Sequence, residues 1–206
     1  MNLPNKITLS RIIVVPILMI FMIPIPESII NAGLLGFMRP FMLSVNALIS
    51  SYGGYIAAGI FIIASSTDAV DGYIARKRQL VTRFGKFLDP IADKLLVTAA
   101  LLALVQSGDV NGWAAMLIIA REFIVTGLRL VAAGEGIVIA ASKLGKLKTV
   151  FQDIAIVATL LSNFPLSLVL PNFPFDQYAM AIAVIITIYS LYDYIKKNLH
   201  VINVNS

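Results

Sequence analysis

The sequence predicts an all-α integral membrane protein of one domain (residues 1–206), with six transmembrane helices and both termini cytoplasmic. Three observations lead there. Of the 206 residues, 59% are apolar and only 13% charged, with mean hydropathy +0.89, whereas soluble domains run at about 45–50% and about 25%. Apolar runs recur six times, each near the ~20 residues that cross ~30 Å of hydrocarbon. The basic residues also segregate to alternate connections. Such a composition excludes an ordinary soluble domain, a disordered chain and a nucleic-acid-binding module. The formal net charge of +5 belongs to cytoplasmic segments rather than to a nucleic-acid site. With no cysteine, disulfides and thiolate chemistry are excluded.

The first span covers residues 7–22, with Pro16 inside it and an interfacial segment at 2–8 before it. Lys6 and Arg11 ahead of an apolar stretch resemble a secretory signal. The segment that follows reads Ile-Pro-Ile-Pro rather than a small-residue cleavage site, so a retained helix is expected. Residues 25–53 form a long outer connection with Pro26 and Pro40, a partial or interfacial helix with no assigned role. The second span is expected at 55–75, the third at 87–105 and the fourth at 112–133. The fifth is expected at 149–168 and the sixth at 177–194.

Orientation follows from twelve of the 16 Lys and Arg. Lys6 and Arg11 precede or open the first span. Arg76, Lys77, Arg78, Arg83 and Lys86 connect spans two and three. Lys143, Lys146 and Lys148 connect four and five, and Lys196 and Lys197 lie in the C-terminal tail. The opposite side keeps Arg39, while Lys94, Arg121 and Arg129 fall within spans. An even number of spans with the basic side inward satisfies this distribution and places the chain in the cell membrane, multi-pass.

Four acids fall where carboxylates are expensive: Asp68, Asp71, Asp89 and Asp93. Charges at such depth usually serve a site and have a partner. Asp68, Asp71, Gly72 and Ala75 stand at i, i+3, i+4 and i+7. Gly85, Asp89 and Asp93 stand at i, i+4 and i+8, so each set occupies one helical face. Two such faces joined by a short basic turn bring four carboxylates together, and the small residues permit close approach. Oxygen donors without His or Cys suit hard cations such as Mg²⁺, Mn²⁺ or Ca²⁺. Two ions there would clamp phosphate oxygens during displacement at phosphorus, with Arg76 adding a charge-assisted contact. The plainer alternative pairs the acids with Lys77, Arg78, Lys86 and Lys94 at the interface.

Residues 68–93 read DAVDGYIARKRQLVTRFGKFLDPIAD. This resembles the signature of the CDP-alcohol phosphotransferases, D-x-x-D-G-x-x-A-R, eight residues, G-x-x-x-D-x-x-x-D, matched without a gap. The likeness covers nearly the whole chain, and the family's six-helix fold agrees with the six runs. Within the family, three stretches resemble members that use glycerol 3-phosphate: NLPNKITLSR at 2–11, AREFIVTGLRL at 120–130, and GKLKT at 145–149 followed by Gln152. The resemblance implies that Asp68, Asp71 and Asp89 bind divalent metal, Mg²⁺ or Mn²⁺ as two ions, with Asp93 near or on it. It implies Asp93 as the general base, and Asp68, Gly72, Ala75, Arg76 and Gly85 as holders of the cytidine diphosphate. The implied substrates are CDP-diacylglycerol and sn-glycerol 3-phosphate, the implied assembly a homodimer in the lipid bilayer, and the implied active site faces the cytoplasm.

A dianionic acceptor needs fixed positive charge. Arg121 and Arg129 are eight residues apart, hence on one face of the fourth span, and Lys146 and Lys148 sit at the mouth of the fifth. These four are the candidate phosphate pocket. The competing explanations are pairing of the arginines with Glu122 or Asp153, and ordinary loop charge for the lysines, to which Lys143 is assigned. Asn5 and Thr8 are candidates to border the same cavity, from the N-terminal resemblance. His200 reads as a solvated tail residue. Trp113, Tyr189, Tyr192 and Tyr194 read as interfacial anchors. Two further functions stay open on these residues: a sibling enzyme using inositol phosphate, serine or phosphatidylglycerol, and an ion-coupled transporter. Against the transporter, the acids cluster near two helix ends rather than at the midplane.

Overall fold

The computed structural model describes residues 3–31, 33–78, 83–134, 137, 139 and 142–198, without the side chains of 3–8, 33–35, 68–78, 83–90 and 93. Every regular element among the described residues is helical. The chain divides into two compact units, one of residues 1–108 with 160–162, the other of 109–159 with 163–206.

In the first unit, α1 (Leu3–Met22) runs through Pro16 and packs along two long helices, α4 (Gly54–Arg78) and α5 (Arg83–Ser107). The expected outer connection is itself mostly helical. It holds α2 (Glu27–Ile30), a 3₁₀ segment (Gly33–Met38) and α3 (Arg39–Leu48), then passes through a π-turn (Ile49–Gly53) straight into α4. Asn46 ties α3 to the Ile-Pro-Ile-Pro segment. Its Oδ1 accepts the Ile25 N–H at 2.8 Å, and its Nδ2 donates to the Ile25 carbonyl at 3.0 Å. Ile25 lies between two prolines that have no N–H to give, so this side chain replaces a ladder that the backbone there cannot form. The buried stripe is mostly alanine: Ala57, Ala58 and Ala64 on α4 face inward around Phe61, as do Ala92, Ala99 and Ala103 around Leu96 on α5. Small side chains let helix backbones approach where lipid supplies no hydrophobic drive between them.

The second unit contains α6 (Gly112–Gly134), α7 (Lys143–Leu160) and α8 (Phe175–Lys197). Asn111 opens α6 by accepting the Trp113 N–H at 2.8 Å, and Ser142 opens α7 by accepting the Gly145 N–H at 3.0 Å. Pro174 precedes α8 and offers no capping side chain. Asn163 caps it from outside, accepting the Asp176 N–H at 2.7 Å and donating to Asp176 Oδ1 at 2.8 Å. Buried residues on α6 (Ala115, Ile118, Arg121, Val125, Ala132) and α8 (Ala179, Ala183, Thr187, Ser190, Tyr194) keep helical spacing. The opposite faces are apolar yet exposed, with Leu130, Val131, Ile185 and Ile188 at least half open. Faces of that kind suit lipid rather than water.

Several boundaries differ from expectation. The fifth helix begins at Lys143 and ends at Leu160, not at 149 and 168. Ser162 and Asn163 adopt positive φ (49° and 64°), and Pro165 follows, so the helix cannot continue. Lys143, Lys146 and Lys148 are therefore helical residues rather than loop charges. Tyr194 is 2% exposed and anchors nothing at an interface; Tyr189, Tyr192 and Trp113 are exposed as expected. By length and apolarity alone, two stretches among the described residues can cross a membrane, Gly36–Thr67 and Phe175–Lys197. α6 and α7 carry Arg121, Glu122, Arg129, Lys146, Lys148 and Asp153 and so are not apolar throughout. His200 lies outside the described residues.

Candidate active site

The signature residues divide between two helices. Asp68, Asp71, Gly72, Ala75 and Arg76 lie on α4, and Gly85, Asp89 and Asp93 on α5, so the helical spacing assumed for both sets holds in the backbone. Their side chains, and those of Asn5 and Thr8 on α1, lie outside the described residues, as does the connection at 79–82. Among the described residues no three of His, Cys, Asp and Glu stand together as a metal site.

Arg11, counted from sequence among the basic residues that set orientation, is only 4% exposed on α1. It borders a cavity of about 230 Å³ with Val14 on its own helix and Ile60, Ile63, Ala64 and Thr67 on α4. A guanidinium enclosed by aliphatic walls is not a solvated loop charge. Its position inside the first apolar run was the available signal.

The second unit gathers charge around one carboxylate. Arg121 on α6 is 6% exposed and Lys148 on α7 is 1% exposed. Arg121 Nη1 donates to Glu122 Oε1 at 3.1 Å, and Lys148 Nζ donates to the same oxygen. Arg121 Nη2 donates to Ser190 Oγ on α8 at 2.8 Å. Two turns along α6, the Arg129 guanidinium stands 5.7 Å from the centre of the Tyr194 ring, within cation–π range. Gly145 sits beside this cluster, where a Cβ would lie 3.2 Å from Ser142 Oγ and 3.4 Å from Arg121 Nη2. The structure thus joins Arg121 and Lys148 through Glu122 and sets Arg129 against α8, while Lys146 is exposed on α7. The pairing with Glu122 weighed as an alternative is present for Arg121, and it leaves buried polar atoms over. Arg121 Nε has no hydrogen-bond partner among the described residues, nor have Gln152 Oε1, Thr187 Oγ1 and the Tyr194 hydroxyl. Buried polar atoms are nearly always partnered, so these four mark a polar interior that the described residues do not complete. Sequence reasoning missed Ser190 and Thr187, which look from the sequence like minor breaks in an apolar helix, and took the buried Tyr194 for an interfacial anchor.

The family model for CDP-alcohol phosphatidyltransferases matches residues 1–189. The chain belongs to that family. Among curated proteins, the chain is 50% identical over 198 residues to a Bacillus subtilis protein named CDP-diacylglycerol–glycerol-3-phosphate 3-phosphatidyltransferase, covering 96% of this chain and 95% of the relative. A Rickettsia typhi protein of the same name is 36% identical over 195 residues, 95% and 96% of the two chains. A Mycobacterium tuberculosis protein named as a probable phosphatidylglycerophosphate synthase is 39% identical over 175 residues, 82% and 81% of the two. The family match contains the α4–α5 signature and the α6 and α7 members of the cluster, with Ser190 and Tyr194 just beyond its end.

Proposed function

We propose that this chain transfers the phosphatidyl group of CDP-diacylglycerol to sn-glycerol 3-phosphate, giving phosphatidylglycerophosphate and CMP. The observation that carries this reading is half identity, over 96% of the chain, to a relative named for that reaction, with the eight-position signature unbroken. The acceptor hydroxyl oxygen forms a bond to the phosphatidyl phosphorus, the bond from that phosphorus to the bridging diphosphate oxygen breaks, and CMP leaves with the electron pair. Asp93 takes the hydroxyl proton. Asp68, Gly72, Ala75, Arg76 and Gly85 hold the cytidine diphosphate, the small residues admitting it and Arg76 pairing with phosphate. Asp68, Asp71, Asp89 and Asp93 form a hard oxygen donor set without His or Cys, which fits two Mg²⁺ or Mn²⁺ ions. When bound, such ions neutralise charge on the diphosphate and on the leaving phosphate. Arg121, Arg129, Lys146 and Lys148 bind the acceptor phosphate, with Asn5 and Thr8 bordering it. Burial of Arg121 and Lys148 beside unmet donors supports that assignment.

The working form in this reading is a homodimer whose single membrane domain spans the cell membrane six times, as α1, α4, α5, α6, α7 and α8, with the active site and both termini cytoplasmic. Purified protein in detergent, given CDP-diacylglycerol, Mg²⁺ or Mn²⁺ and one acceptor at a time, should release CMP with sn-glycerol 3-phosphate and not with inositol phosphate or serine. Asp93→Asn should lose about 10²–10⁴-fold in turnover, the usual contribution of a general base. Full activity in that variant, or CMP release with another acceptor alone, overturns the reading.

A further inference from the structure

The cavity beside Arg11 in the first unit has two unlike ends. Ser10, Arg11 and Val14 on α1 line it together with Ile60, Ile63 and Thr67 on α4, around a space of about 230 Å³. The two helices run in opposite directions. The end of α1 meets the start of α4 at Phe21 and Gly53, and ten residues back along α1 Arg11 shares the cavity with Ile63, ten residues on along α4. Val14 and Ile60 therefore form one end, and Ser10, Arg11 and Thr67 the other. Arg11 is the single charged residue of the lining and is almost wholly buried. The Thr67 hydroxyl donates to the Ile63 carbonyl at 2.6 Å, so its donor is spent on its own helix. Beyond these residues the walls are aliphatic. Ile63 is 69% exposed, which makes the space an open groove rather than a closed void.

The α4 wall of the groove continues into the signature. One helical step of four residues leads from Ala64 to Asp68 and from Thr67 to Asp71, and the same step leads from Ile60 to Ala64 and from Ile63 to Thr67. The groove thus lies on the face of α4 that carries both acids and starts within one turn of them. From Thr67 to Ile60 it covers about 10 Å of the helix axis. In the proposed reaction the diphosphate of the donor lies at those acids, and what remains of the donor is a glycerol diester with two hydrocarbon chains. The groove offers the same order in the same direction: a buried guanidinium, the complement of a phosphate, and then aliphatic walls. We propose that this groove holds the first part of one acyl chain of CDP-diacylglycerol, and that it thereby favours long-chain donors over short ones. This rests on the phosphatidyl-transfer reading above and uses residues of the first unit alone.

The test compares CDP-dioleoylglycerol with CDP-dibutanoylglycerol, the same headgroup on chains too short to reach Ile60. The measure is kcat/KM on the full chain in one detergent, with sn-glycerol 3-phosphate and Mg²⁺. The wild type should favour the dioleoyl donor by about 10-fold or more, the scale set by apolar groups in a fitted pocket. Ile60→Trp and Ile63→Trp fill the groove at two depths. Each should lower kcat/KM for the dioleoyl donor by about 10-fold and that for the dibutanoyl donor by less than about 2-fold, shrinking the preference. Ile63 is mostly exposed, so Ile63→Trp spares the core if Ile60→Trp fails to fold. Ile62→Trp, at a neighbouring position 45% exposed and outside the lining, should keep the preference of the wild type. An unchanged preference in Ile60→Trp and Ile63→Trp overturns the groove as a donor site, and is what a chain of the surrounding lipid lodged there would give. An equal fall for both donors overturns it as a structural defect, and so does the same loss of preference in Ile62→Trp. In each of these cases CMP release by the wild type leaves the reaction standing. A wild type that releases CMP from neither donor overturns the reaction and the groove with it.

Discussion

Glu122 fixes two buried cations at once. Its Oε1 receives both Arg121 Nη1 and Lys148 Nζ, and the Thr126 hydroxyl bonds its backbone carbonyl at 2.7 Å. Replacing it by the isosteric Gln removes the charge and keeps the volume. Breaking a buried pair from one side typically costs about 3–5 kcal/mol, because the charge left behind is uncompensated. Glu122→Gln should therefore lower the unfolding temperature in detergent, and adding Lys148→Met should recover part of the loss; a melting curve equal to wild type would show that the carboxylate is dispensable. The sequence names Arg121 and Arg129 as an odd pair of charges inside a span, but it cannot choose their partners. Neighbours at i and i+1 do not face each other on a helix, so the Arg121–Glu122 contact exists only because Lys148 and Ser190 arrive from other helices. Lys148 itself reads as loop charge when α7 is taken to start at 149, and its burial follows from the six further helical residues.

At the scale of elements, each of the six apolar runs holds a long helix, the fifth only as far as Leu160, since a run of ~20 residues has few other ways to satisfy its backbone in an apolar setting. The connection at 25–53, expected as a partial or interfacial helix, is mostly helical, but the runs do not reveal how it joins α4. Its prolines punctuate the pattern, yet the segment is helical from Arg39 and reaches α4 through the π-turn at Ile49–Gly53. The reason lies in tandem glycines. A Cβ on Gly53 would collide with the Phe21 carbonyl oxygen, and one on Gly54 with that of Leu160, so α1 and the end of α7 approach the chain there at backbone distance. Gly59, one and a half turns along α4, has nothing near its would-be Cβ. Gly53→Ala should therefore destabilise by about 1–3 kcal/mol through overpacking. Gly59→Ala should be neutral or stabilising by up to about 1 kcal/mol through helix propensity. Thermal unfolding of the two variants side by side checks this, and equal shifts would remove the steric explanation.

For the whole molecule, scarcity of charge is what makes the sequence legible: with 13% of residues charged, each charge has either an orientation to set or a site to serve. In the proposed reading, four acids on α4 and α5 together with Arg121, Arg129, Lys146 and Lys148 belong to the second group, whereas Arg11, a basic residue near a span end, is set apart from the orientation charges only by its burial. The charges left over, Lys143, Lys196 and Lys197 among them, carry the proposed orientation, since Lys and Arg favour the cytoplasmic side. α7 lies between Lys143 and Val169, and α8 between Val169 and Lys196. If each crosses the bilayer once, positions 143 and 196 share a side and 169 takes the other. The absence of cysteine allows a clean reading with single introduced thiols. In intact cells, Val169→Cys, at a position 77% exposed, should react with a membrane-impermeant maleimide, whereas Lys143→Cys and Lys196→Cys should react only after permeabilisation. Labelling of all three from outside, or of 143 and 196 on opposite sides, would break the six-span arrangement, because an odd number of crossings would then separate two segments that the charge distribution places together.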